Sequence, residues 1–130
     1  MTNQAATKNS KPCLNLTQHV CSPEQAEGGV FEPQNKAEVQ GLLTFNELPT
    51  AAQISARAEA LAMIARSECA GRAMIGGAPF LMSALENALI AEGIKPLYAF
   101  SRRESVDQTQ PDGSVRKVAT FRHLGFVEVV

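Results

Sequence analysis

The spacing of hydrophobic positions changes along the chain, and the changes mark out its elements. Cys13 to Gln18 alternates apolar and polar residues, which predicts a first strand. Ser22-Pro23-Glu24-Gln25 follows, with an N-cap serine, a proline at the first helical position and a glutamine placed to bond back to the cap. Gly28-Gly29 keeps that helix short, and Val30 to Pro33 reads as a brief extended piece. Val39, Leu42 and Leu43 place one apolar side on a helix over 35–43. Asn46 to Pro49 is a turn, and Thr50 with Gln53 forms a second capping box. Beyond it the stripe Ile54, Ala58, Leu61 and Ala65 predicts a long helix from Ala51 to Ser67.

A short apolar run from Arg72 to Ile75 predicts the next strand, which ends in Gly76-Gly77-Ala78-Pro79. Leu81, Ala84, Leu85, Ala88 and Leu89 then return to helical spacing, and Gly93 closes that helix. Lys95 to Phe100 is a third strand, continued by Ser101 to Glu104. Val106 to Gln110 and Ser114 to Phe121 flank Pro111-Asp112-Gly113, a hairpin with recognisable turn chemistry, and Phe126 to Val130 adds a last strand. Helical connections between the first three strands imply a parallel sheet with right-handed crossovers and an antiparallel C-terminal edge. The fold expected is a single three-layer, Rossmann-like α/β domain over 13–130, behind a polar, disordered tail over 1–12.

The length of 130 residues agrees with one domain and one core. No apolar run is long enough to cross a bilayer, and the first twelve residues lack the apolar stretch of a secretory signal, which points to a cytoplasmic protein. Cys13, Cys21 and Cys69 are odd in number and show no C-x-x-C spacing, so neither a disulfide framework nor a zinc site is expected. With only His19 and His123 and no acidic cluster, no metal or other cofactor is implied. The net charge is −1, yet Lys95 to Gly125 carries six basic residues against three acidic ones. That balance argues against broad DNA binding and allows a local anion pocket.

Ligands of open parallel sheets bind at the carboxyl ends of the strands. The first strand ends in Thr17-Gln18-His19, the second in Gly76-Gly77-Ala78-Pro79 and the third in Ser101-Arg102-Arg103. Glycine N–H groups at a helix start suit a phosphate, although the same glycines serve equally as a tight turn. The turn is neither G-x-G-x-x-G nor a P-loop. Arg102 and Arg103 point to opposite faces of a strand, so at most one of them enters a site, where a guanidinium neutralises a phosphate, and the other pairs with Glu104 or a helix. His19 caps the next helix or, alternatively, moves a proton to or from a ribose or leaving oxygen. His123, Tyr98 and Cys21 read as structural. The candidate set is thus His19 and Arg102 for catalysis, with Thr17, Gln18, Gly76, Gly77, Ala78, Pro79, Ser101 and Arg103 binding the ligand.

Leu16-Thr17-Gln18-His19 with Ser22-Pro23-Glu24-Gln25 resembles the opening of small CRISPR-associated ring nucleases. Ile75-Gly76-Gly77-Ala78-Pro79 is similar to the nucleotide-binding turn of CRISPR-associated Rossmann-fold (CARF) domains. The resemblance implies a cyclic oligoadenylate-like ligand on the two-fold axis of a homodimer, touched by Thr17, Gln18, His19, the Gly76 to Pro79 turn, Ser101 and Arg102. The helices between Asn35 and Ser67 and the Pro111 hairpin have no counterpart in that pattern. Two functions follow as expectations. One is a nucleotide- or RNA-phosphate-binding protein acting as a metal-independent phosphodiesterase. The other is a non-catalytic accessory or interaction protein, such as one encoded on a mobile element.

Overall fold

A computed structural model describes residues 11–129. Five strands form one sheet: β1 (Cys13–Leu16), β2 (Val30–Phe31), β3 (Arg72–Ile75), β4 (Lys95–Thr109) and β5 (Val115–Glu128), in the order β2-β1-β3-β4-β5. The helices are α1 (Pro23–Glu27), α2 (Lys36–Leu43), α3 (Ala51–Ser67) and α4 (Pro79–Ala91). The first four strands pair in parallel, and β5 returns antiparallel to β4. The protein is therefore a Rossmann-like α/β domain with an antiparallel edge.

Strand periodicity divides the core in two. Leu14, Leu16, Ala73 and Ile75 meet Val39 and Leu43 of α2, Leu61 and Ala65 of α3, and Leu81, Leu85 and Leu89 of α4. Cys13, Val30, Met74 and Leu97 face the other way, where Cys21 and Phe126 pack on them. The two outer layers are unequal: α2, α3 and α4 cover one face, whereas α1 is a five-residue helix that buries none of its own residues. Both capping boxes form, Ser22 with Gln25 and Thr50 with Gln53, so the starts of α1 and α3 are set by local chemistry.

Residues 1–10 of the expected tail lie outside the described residues, as does Val130 of the expected last strand. Lys11 and Pro12, the end of that tail, are tied to the sheet. Pro12 O accepts from Gly71 N at 3.2 Å and Arg72 N at 3.1 Å. The C-terminal third also differs from expectation. The segments foreseen as separate strands join into two long ones: β4 runs unbroken through Ser105, and β5 runs on through Gly125. β4 pairs with β3 only as far as Leu97. Past Phe100 the β4–β5 hairpin projects as a two-stranded arm, mostly exposed on both faces. Its tip is closed by Asp112 Oδ1, which accepts from Ser114 N and Oγ at 2.9 and 2.6 Å.

Leu85 is fully buried on α4 between the sheet and α3. Leu85→Ala should lower unfolding free energy by about 2–5 kcal/mol in urea melts, through lost transfer energy and the cavity left behind.

Candidate functional site

The chain leaves β1 toward β2 on one side, while β3 lies on the other. Such a switch point leaves a crevice at the carboxyl ends of the strands. An open cleft of about 520 Å³ occupies that place. Thr17, Gln18 and His19 line it from the loop after β1, and Gly76 and Gly77 from the turn after β3. Ser101, Phe121 and His123 come from the base of the arm, and Ser22, Glu24 and Gln25 from the start of α1.

The β1 wall is fixed by a network centred on Asn15 and Glu32. Asn15 is fully buried in an otherwise apolar strand. Its Nδ2 donates to His19 O at 2.7 Å and to both Glu32 oxygens at 3.1 and 3.0 Å. Its Oδ1 accepts from Thr17 N at 2.9 Å and Thr17 Oγ1 at 2.7 Å. Glu32 also accepts from Cys21 N at 2.7 Å and pairs with Lys36 Nζ at 3.1 Å. Lys36 Nζ donates in addition to Thr17 O at 2.8 Å and His19 O at 3.0 Å. The loop carrying Thr17, Gln18 and His19 is thus held through its own carbonyls, leaving the His19 ring outside the network. Burial works to raise the Glu32 carboxyl, but the bonds from Cys21 N, Asn15 and Lys36 outweigh it and bring it down from 4.5 to about 2.

The turn after β3 is shaped by its two glycines. Gly77 has φ +145°, a conformation that side chains rarely adopt. A Cβ on Gly76 would lie in ordinary contact with the Thr17 methyl, at 3.6 Å, so Gly76 brings the two walls together without being required there. α4 starts at this turn with Ala78 as N-cap and no side-chain cap bond, unlike α1, α2 and α3. Its first residue, Pro79, carries no N–H, and Leu81 N donates to Ala78 O at 2.9 Å.

The third wall depends on strand register. Phe100 pairs with Gly125, but Ser101 pairs with His123, so Leu124 is an extra residue in β5. This β-bulge puts His123 on the same face as Phe126, and the two rings meet edge to face at 4.9 Å between centroids. His123 Nδ1 is buried and has no hydrogen-bond partner among the described residues.

Of the residues expected at the site, Thr17, Gln18, His19, Gly76, Gly77 and Ser101 line the cleft together. Ala78 and Pro79 lie just past the lining, at the start of α4. Arg102 is not brought into the cleft: it stands on the opposite face of the arm from Ser101 and pairs with Glu104 at 3.2 Å. Arg103 shares the Ser101 face, directly across from Phe121, one position outside the lining. His123 and Tyr98, read as structural from sequence, both reach the cleft. Tyr98 also donates to Glu86 Oε2 at 2.6 Å; burial, then that bond and the Glu86 charge, push its phenol well above the usual range. Burial raises the Cys13 thiol to about 11, against a smaller lowering effect of Arg72. Burial and Glu32 also raise the Cys21 thiol. Both thiols stay protonated near neutral pH and are poor nucleophiles. Among the described residues no group of three or more His, Cys, Asp or Glu is placed to hold a metal ion, and no helix is long and apolar enough to cross a membrane.

Fold and site together define an open α/β domain with a histidine-bearing crevice of mixed polar and apolar lining at its switch point. A family model matches residues 11–127, nearly the whole chain, and the chain belongs to the uncharacterized protein MJ1673 family. No curated protein and no solved structure is significantly similar to it.

A carboxyl lowered on folding stabilises the fold fully above its unfolded value of 4.5, and that stability is lost as pH falls through about 2. Glu32→Gln should therefore cost about 1–2 kcal/mol at pH 7 after allowing for solvent screening of a partly exposed group. Urea melts of both proteins should converge as the pH is lowered from 4.5 toward 2.

Proposed function

We propose that the cleft binds a nucleotide or RNA phosphate and that the protein acts on it as a metal-independent phosphodiesterase. The observation that carries this reading is the convergence of His19 with the Gly76-Gly77 turn on one open crevice at the switch point. Backbone N–H groups of the Gly76-Gly77 turn provide for phosphate oxygens, and the dipole of the α4 start beyond it favours the negative charge. The Ser101 hydroxyl orients the ligand, Thr17 holds the wall through its bond to Asn15, and the ring of Phe121 offers a face for a base. The His19 imidazole exchanges the proton of a ribose or leaving oxygen. Arg103 stands beside the lining, where it can reach a ligand longer than one nucleotide.

A thermal-shift screen with mono-, di- and cyclic oligonucleotides in EDTA tests the reading. One class, at about 100 times its dissociation constant, should stabilise the fold by roughly 2.7 kcal/mol. The absence of a shift with every class would defeat a nucleotide site.

A second reading rests on the arm. Val106 is 41% exposed on one face of it and Val115 64% exposed on the other, along a two-stranded ribbon that packs on no other element past its base. Isolated ribbons are marginal in water, so the arm suits a contact with a second copy, in a homodimer or a non-catalytic interaction role. Light scattering should then give a dimer for the native chain and a monomer for the double variant Val106→Ser, Val115→Ser. A monomeric native protein would remove this reading.

A further inference from the structure

The proton-transfer capacity of the cleft is incomplete with His19 alone. Cleaving a phosphodiester through a neighbouring hydroxyl takes two proton movements, one from the attacking oxygen and one to the leaving oxygen. Among the lining residues there is no lysine or arginine, and Glu24 is the one carboxylate. The Tyr98 phenol is engaged with Glu86, and the lining group that can both take and give a proton near neutral pH is a second imidazole, that of His123.

Three features of the structure favour a role for this histidine beyond packing. The first is the bulge. Without the extra residue in β5, Leu124 would sit opposite Ser101 and occupy the cleft face, and His123 would turn away with Arg102. Inserting one residue exchanges a leucine for an imidazole at the wall of the cleft, the re-aiming that bulges produce beside sites. The second is the orphaned atom. Buried polar atoms are nearly always bonded, and His123 Nδ1 is the buried side-chain nitrogen or oxygen left without a partner among the described residues. The third is placement. His19 follows β1, His123 comes from β5, and the Gly76-Gly77 turn follows β3, which lies between those strands in the sheet. A phosphate at that turn would have one imidazole on each side.

We propose that His123 is a catalytic residue of this cleft, working with His19 on an RNA phosphodiester that carries a free 2′-hydroxyl. The inference rests on the nucleotide-phosphate reading given above. In the reaction the 2′-oxygen attacks the adjacent phosphorus and the P–O5′ bond breaks. One imidazole takes the 2′-hydroxyl proton, and the other, as imidazolium, gives a proton to the departing O5′. The products are a 2′,3′-cyclic phosphate and a 5′-hydroxyl, with no water, metal or oxidant consumed.

The test uses the full chain with linear and cyclic tetraribonucleotides and their 2′-deoxy counterparts, in EDTA, measuring binding and cleavage separately. The native protein should bind both sugar types, cut only the ribose forms, and release cyclic-phosphate ends. His123→Gln keeps a polar group, and His123→Phe keeps the ring against Phe126. Each should bind within about tenfold of the native affinity while cleaving on the order of 10²- to 10⁴-fold more slowly. Circular dichroism and urea melts identify any variant that fails to fold, and the other then decides. Binding without cleavage by the native protein would overturn the assignment of His123 while leaving the nucleotide site intact. Cleavage of a 2′-deoxy substrate, or a folded His123 variant cutting within tenfold of native, would do the same. No binding of any of these oligonucleotides by the native protein would remove the nucleotide site and the catalytic role together.

Discussion

The carboxylate of Glu32 is the tie on which the cleft depends. It sits just past the two-residue strand β2 and reaches Asn15 in the neighbouring strand, Cys21 at the end of the crossing loop, and Lys36 at the first turn of α2. Four parts of the chain meet in one charge-assisted set of bonds, stronger than neutral ones would be. Asn15 makes the set obligatory. A buried amide is costly without partners, and this one uses both donors and both acceptor positions. The backbone of the His19 loop is therefore positioned by the same bonds that hold β2 against β1.

The opposite wall is fixed by a different means. No comparable polar network holds Ser101 and His123 among the described residues; backbone pairing does. The bulge at Leu124 sets which side chains of β5 face the cleft, and Phe126 supports the imidazole from below. The floor between the walls is glycine, where the positive φ of Gly77 disfavours a side chain. Polar tie, glycine floor and shifted register come from distant parts of the chain and converge because the sheet order brings β1, β3 and β4 together.

Much of this fold was legible because its signals are local. Capping boxes at Ser22 and Thr50, the α3 and α4 stripes and the Gly76-Gly77 turn each need only a few neighbouring residues to recognise. The strand ends followed from the order of elements, which is why Thr17, Gln18, His19 and Ser101 were found on one cleft. What stayed hidden was non-local. Glu32 and Asn15 are 17 positions apart, and a polar residue within C-L-N-L gives no indication of its partner. The arginines and His123 were obscured by parity. A strand assigns faces by counting, and one bulged residue reverses the count without any mark in composition. Ser114 to Phe121 and Phe126 to Val130 were read as separate segments, whereas Gly125 between them continues one strand beside the bulge.

The arm and the cleft share two unbroken backbones. Ser101 and His123 sit where β4 and β5 leave the sheet, and the same strands run on to the tip at Gln110. A ladder of this kind transmits twist along its length, so its outer half is mechanically a lever with the imidazole at the fulcrum. A body that gripped the tip in one twist and a ligand that favoured one twist at the base would each shift the other's affinity by the same factor.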